Sequence, residues 1–197
     1  MHSQKAKILN CKKRVEFVDI IDPKTDNIIG KTTYEDVHKR NLWHRGTGIF
    51  VFSEKGELLI QRRSLNKRVL PGRFEATVEH VRAGETYLDA ALRGLFEELS
   101  MKPESLTHLF KMLFDYPDLR ERGFVYQFGH KDLSINRSNI DNISVDLNEI
   151  AGLELMPLNK IISLINERKL DVTPLFEFQL YEYLRYSKDG LIVDLTV

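Results

Sequence analysis

Glu85, Arg93, Glu97 and Glu98 are the residues whose types and spacing most directly suggest chemistry. On an α-helix Arg93 and Glu97 stand one turn apart, and Glu98 follows about 100° further round the same solvent face. Two neighbouring carboxylates would then project from one helix end. Hard oxygen donors on a rigid element suit Mg²⁺ or Mn²⁺, ions often shared with substrate phosphates. Glu85, just ahead of the helix, is placed to accept a bond from Arg93 and hold the intervening turn. Composition alone allows the plainer alternative of a solvated helix face.

These side chains need a helix, and the best one in the chain begins at Thr86, whose hydroxyl can cap it with Asp89 three residues on. It carries Leu88, Ala91, Leu92, Leu95 and Leu99 on one side and charge on the other. Strand-like runs precede it: Val15 to Ile21 and Ile28 to Gly30 around a turn-forming Asp-Pro-Lys-Thr-Asp-Asn, then Gly48 to Ser53 and Glu57 to Gln61 as a second hairpin. Another runs through Phe74 to Val81. Beyond the helix, strands are expected at Leu109 to Phe114, Gly123 to Phe128 and Gly152 to Met156, then a helix from Leu158 to about Arg168. Thr173-Pro174 opens a terminal helix, while Lys131 to Asn148 is polar and aperiodic, a long loop. The pattern predicts an α/β (α+β) fold, a mixed β-sheet sandwiched between helices. An N-terminal basic tail and β-hairpin extension occupies residues 1–40 and the main domain residues 41–197.

The stretch from Gly84-Glu85-Thr86 through Ala90-Ala91 to Arg93, Leu95, Glu97, Glu98 and Met101 resembles the Nudix box. That pattern is Gly, five residues, Glu, seven residues, Arg-Glu, a bulky aliphatic, any residue, Glu-Glu, any residue, Gly, and a second bulky aliphatic. The resemblance extends from about His44 to the helix after Leu158 and implies a Nudix fold and metal-dependent cleavage of a diphosphate bond. Three positions depart from the pattern: the opening Gly is Glu79, the closing Gly is Ser100, and the Glu after the arginine is Gly94. The backbone carbonyl of Glu79 can still serve as a metal ligand. Gly94 removes a helix carboxylate that in the family is often a metal ligand or positions the attacking water, and glycine inside a helix costs roughly 1 kcal/mol relative to alanine.

His44 and the run from Arg62 to Gly72 are similar to type I isopentenyl-diphosphate isomerase, a branch of the same fold. That resemblance assigns Arg63 and Lys67 to the substrate diphosphate, with Arg as a planar fork and Lys as a point charge. The cluster of Arg62, Arg63, Lys67 and Arg68 equally suits solvation of a strand end. The isomerase also requires a cysteine where this chain has Glu79, so isomerisation is not expected. His38, His44 and His80 approximate its metal-binding histidines, with His38 and His80 each one residue out of register. An isolated histidine is otherwise a structural residue. Glu121 is a candidate for the further carboxylate that both branches bring from elsewhere in the fold.

Composition narrows the rest. The 197 residues suit one domain, with 42% hydrophobic and 29% charged residues, as in a globular protein. Lys plus Arg equals Asp plus Glu at 29 each, so no global field favours nucleic acid or an anionic membrane. Apolar runs such as Ile49 to Phe52 fall far short of the roughly 20 residues of a membrane span. The segment from Gln4 to Arg14, with five cations, lacks the apolar core of a secretory signal, and the lone Cys11 fits a reducing cytoplasm. The aromatic terminal helix (Phe176, Phe178, Tyr181, Tyr183, Tyr186) and the hairpin either cover the core or meet a partner, which leaves a homodimer open.

The expected activity is a Mg²⁺- or Mn²⁺-dependent hydrolase acting on a nucleoside diphosphate derivative or similar small-molecule diphosphate. Glu97, Glu98, Glu79 and Glu121 are its metal-ligand candidates, Glu85 and Arg93 brace the loop, and Arg63 and Lys67 neutralise the diphosphate. The alternatives are a binding module without turnover and an isomerase-like activity.

Overall fold

The computed structural model describes residues 15–190 and 195–196, so the basic Gln4–Arg14 segment and Cys11 lie outside the described residues. Alternation along β3 (His44–Ser53) explains the layers. Phe50 and Phe52 point to one side, and Ile49 and Val51 to the other; all four are buried. The following β4 (Leu58–Arg63) does the same with Leu58 and Ile60 against Leu59. A strand apolar on both faces belongs at the centre of a sheet covered on both sides. The first set meets α3 (Leu158–Asn166) and α4 (Pro174–Lys188) through Ile161, Phe176, Leu180 and Tyr183. The second meets α2 (Tyr87–Leu99) through Ala91, Leu95 and Leu99.

The sheet has seven strands, in the order β5 (Phe74–Glu75), β4, β3, β8 (Glu121–Asp132), β7 (Thr107–Tyr116). In addition β6 (Thr77–His80) pairs with β3, and β9 (Ile150–Met156) with β4. It is mixed: β3 and β8 run parallel, whereas the β3–β4, β3–β6, β4–β5, β4–β9 and β7–β8 pairs are antiparallel. The expected Phe74 to Val81 strand is broken at Ala76 into β5 and β6, which pair with different neighbours. The expected Leu158 to Arg168 helix ends at Asn166, and Arg168 is left-handed (φ 56°).

Helix α2 starts as its sequence dictates. The Thr86 hydroxyl accepts the Asp89 amide at 3.1 Å and donates to the Asp89 carboxylate at 2.6 Å. Leu88, expected on the apolar side, is 42% exposed, because the buried arc turns toward Ala90, Gly94 and Glu98 instead. The long polar segment after β8 is pinned by two apolar side chains, Ile135 and Ile140, sunk into the α2-side core. In α4, Phe176 and Tyr183 are buried while Phe178 and Tyr181 remain partly exposed.

The N-terminal hairpin is β1 (Phe17–Ile21) and β2 (Ile28–Thr33), continued by the short α1 (Tyr34–Lys39), which Thr33 caps through the Asp36 amide. It is stitched to the main sheet: Ala83 N–H donates to Phe17 O at 2.8 Å and Ile21 N–H to Trp43 O at 3.0 Å. Its turn is held by Asp26, which is left-handed (φ 59°). Asp26 receives Arg45 Nε at 2.8 Å, Lys111 Nζ at 2.8 Å and the Tyr87 hydroxyl at 2.9 Å. None of the helices among the described residues is long and apolar enough to cross a membrane.

Candidate active site

Strand registers bring three distant residues to one end of the sheet. His44 opens β3, Glu121 opens the parallel β8 beside it, and His80 closes the antiparallel β6 on the other side. The fourth, His38, arrives from α1, outside the 41–197 segment assigned from sequence to the main domain. One ligand atom from each of His38, His44, His80 and Glu121 lies within 4.8 Å of all the others. Glu121 Oε1 is 3.5 Å from His38 Nδ1, and Oε2 is 3.7 Å and 3.9 Å from Nε2 of His44 and His80. The Tyr34 ring meets the His38 and His80 rings edge-on.

His44 is oriented as a ligand, with Nε2 toward Glu121 and Nδ1 on a main-chain carbonyl. His44 Nδ1–H donates to Leu42 O at 2.9 Å and His38 Nδ1–H to Arg120 O at 3.2 Å, tautomers inferred from these carbonyl partners. His44 Nε2, 3.7 Å from Glu121, is then left with its lone pair, whereas on His38 it is Nδ1 that faces both Arg120 O and Glu121. A carbonyl behind the ring, as at His44, is the usual support of a metal-binding histidine. Burial lowers the pKa of His44 to about 4 and also lowers those of His38 and His80, which keeps the rings neutral. Burial raises Glu121 to about 7 and Tyr34 to about 12. Three neutral imidazoles and a carboxylate fit a divalent first-row ion.

On α2 the two adjacent carboxylates diverge instead of sharing a face. Glu97 is exposed and pairs with Arg93 at 3.2 Å and Arg82 at 3.5 Å. Glu98, one residue and about 100° on, is 8% exposed and accepts Gln61 Nε2 at 2.9 Å. Burial, and then the charges of Glu79, Glu75 and Glu149, raises its pKa to about 8. Arg93 is the centre of the remaining network. It grips both oxygens of Glu85, at 2.9 and 3.0 Å, and donates to Glu79 Oε2 at 2.5 Å and His80 O at 2.8 Å. The Glu79 side chain lies over Gly94, where a Cβ would meet its Cγ at 2.3 Å.

Of the expected diphosphate contacts, Arg63 holds its own loop, donating to Leu70 O, Val69 O and Glu75 Oε1, and Lys67 pairs with Glu149. Both lie within electrostatic reach of the histidines: Arg63 draws the Glu121 pKa down, and Lys67 opposes protonation of His80. The charges of Glu79 and Glu149 act on both Glu98 and Tyr34, so the carboxylate and histidine groups lie within electrostatic reach of one another.

A model of the NUDIX domain matches residues 42–176 of this chain. The chain belongs to the Nudix family. It is similar to an uncharacterized Nudix hydrolase of Pseudomonas aeruginosa, 40% identical over 96 residues, which are 48% of this chain and 57% of that one. The chain thus spans little more than half the length of that relative. It is also 30% identical over 161 residues to isopentenyl-diphosphate Delta-isomerase 2 of Photorhabdus laumondii, covering 77% of this chain and 82% of the other. Among solved structures, one from Deinococcus radiodurans superposes with a TM-score of 0.64 at 20% identity, covering 83% of this chain and 96% of that one. The NUDIX domain of Shewanella oneidensis NrtR, solved with ADP ribose, gives 0.55 at 13% identity, covering 73% and 87%. These two likenesses bear on the fold: this Nudix domain has the family's mixed sheet between helices.

The sequence groups His38, His44 and His80 through the isomerase resemblance and offers Glu121 separately; that the four meet at one point is settled by the fold. The carbonyl partners of His38 and His44 and the Gln61–Glu98 bond carry no sequence signal.

Proposed function

We propose that this Nudix domain is a divalent-metal-dependent hydrolase of the diphosphate bond in a small molecule, such as a nucleoside diphosphate derivative. The observation that carries the reading is the convergence of His38, His44, His80 and Glu121. Imidazole with carboxylate suits Mn²⁺ or Zn²⁺, while Mg²⁺ prefers oxygen ligands alone. A bound divalent ion supplies Lewis-acid charge to a phosphoryl oxygen. In this reading Glu98 takes the proton of the attacking water, since a carboxylate with a pKa of about 8 accepts and releases protons near neutral pH. Arg63 and Lys67 bind the diphosphate after exchanging Glu75 and Glu149 for phosphate oxygens. Glu85 and Arg93 brace the turn that carries His80.

A second reading, a binding module without turnover, draws on Gly94, which leaves α2 without the carboxylate of the box pattern. Protein stripped with chelator and reloaded with Mn²⁺, Zn²⁺ or Mg²⁺ separates the two in assays with nucleoside diphosphate sugars, dinucleotides and prenyl diphosphates. Product that disappears in Glu98→Gln and His44→Ala supports the hydrolase. Saturable binding with no product under any metal supports the module. Allylic product from isopentenyl diphosphate would instead support isomerase chemistry, and none is expected, because Glu79 stands where the isomerase resemblance requires a cysteine.

A further inference from the structure

Two of the three departures from the box pattern touch each other. Position 79 should be glycine and is glutamate; position 94 should be glutamate and is glycine. A Cβ at Gly94 would stand 2.3 Å from Glu79 Cγ, 3.2 Å from its Cβ and 3.5 Å from its Cδ. No real side chain tolerates the first distance, so the Glu79 side chain occupies the volume that a residue at 94 would fill. Gly94 is buried in the middle of α2, where glycine is among the least favourable residues, and the side chain it admits accounts for its presence.

We propose that Glu79 and Gly94 are a reciprocal exchange, in which the carboxylate of the helix has moved to β6 and its glycine has moved to α2. The cleft thereby keeps a carboxylate in nearly the same place, delivered from the strand instead of the helix. Gly94 precedes Glu98 by one helical turn, so Glu79 approaches α2 on the side from which Glu98 projects. The relocated group is held by Arg93 Nη1 at 2.5 Å, and the same guanidinium binds His80 O through Nη2 at 2.8 Å. Glu79 is therefore a positioning residue that couples the helix to the histidine centre through Arg93. The inference rests on the metal-dependent reading of the cleft, but its decisive measurements do not require turnover.

The test is a double-mutant cycle of Gly94→Glu, Glu79→Gly and the two combined, read by thermal melting in chelator, by calorimetric Mn²⁺ binding and by hydrolysis. Gly94→Glu alone is expected to melt several degrees lower, because two side chains then contend for one volume. Glu79→Gly alone is expected to weaken Mn²⁺ binding roughly tenfold, the usual effect of removing a group that orients a ligand. The combination is expected to recover most of both losses. Additive losses in the combined variant, or a Gly94→Glu protein that melts like the wild type, would overturn the exchange. Should the combined variant fail to fold, Glu79→Gln decides. It keeps the shape and removes the charge, so Mn²⁺ affinity should fall about tenfold, and unchanged affinity would overturn the role given to the carboxylate. If the cycle closes as expected while even the wild type yields no product, the hydrolase reading fails and the exchange stands.

Discussion

Arg93 donates to the main-chain carbonyl of His80 at 2.8 Å, so the most densely bonded side chain of α2 directly fixes a strand that contributes to the histidine centre. The helix named by the box pattern and the histidines named by the isomerase resemblance are in this way one structure. Replacing Arg93 with alanine leaves Glu85 and Glu79 without their buried partner. We expect a loss on the order of 3 kcal/mol in urea unfolding. Arg93→Lys should recover only part of it, because an ammonium cannot bridge both Glu85 oxygens while reaching His80.

Metal loading should stabilise the protein through the histidines. With free Mn²⁺ at about 100 times Kd, the gain expected from mass action is about 2.7 kcal/mol, seen as a rise in Tm. His44→Ala should abolish that rise, and an unchanged response would place the ion elsewhere.

The metal-free protein should lose stability toward both acid and alkali. Glu98 is raised from 4.5 to about 8, so the fold binds its proton more tightly; that contribution is complete below 4.5 and is lost as pH rises through about 8. His44 is lowered from 6.5 to about 4, so its contribution is complete above 6.5 and is lost as pH falls through about 4. Denaturation midpoints measured across this range should therefore peak between the two limits. Glu98→Gln should flatten the alkaline limb.

Asp26 ties the hairpin to β3, β7 and α2 through Arg45, Lys111 and Tyr87. Asp26→Ala should lower stability by about 2 kcal/mol, as two half-buried cations lose a charged hydrogen-bond partner. It should also expose residues 15–40 to proteolysis and weaken Mn²⁺ binding through His38. Asp26→Asn keeps a residue that tolerates the left-handed backbone and should lose less.

Lys67 is held by Glu149, and a diphosphate must compete with that carboxylate. Glu149→Gln should tighten binding of inorganic pyrophosphate and Lys67→Ala should weaken it, both measurable by calorimetry. Equal affinity in all three proteins would remove Lys67 from the site.

The sequence was legible where periodicity and capping act locally. Thr86 and Thr173 start their helices, and the two expected hairpins are present. The spacing of Glu85 and Arg93 likewise announced their ion pair. It was less legible where packing between elements decides. A helical wheel gives the angle between Glu97 and Glu98, but not that Gln61 and the sheet wait on one side and solvent on the other. The Glu79–Gly94 contact joins a strand to a helix, and neither residue's type reveals it alone. His38 was set apart with residues 1–40 because a turn-rich hairpin looks separable, whereas backbone bonds from Ala83 and Ile21 bind it to the main sheet.

That docking makes α1 a wall of the cleft, contributing both His38 and Tyr34. An ion held there would fasten α1 to three strands of the central sheet, so that filling the centre and closing the hairpin become one event. Shortening the chain to the stretch that matches the family would remove a donor along with its support. It would also cut away most of α4, whose Leu180 and Tyr183 cover one face of the sheet.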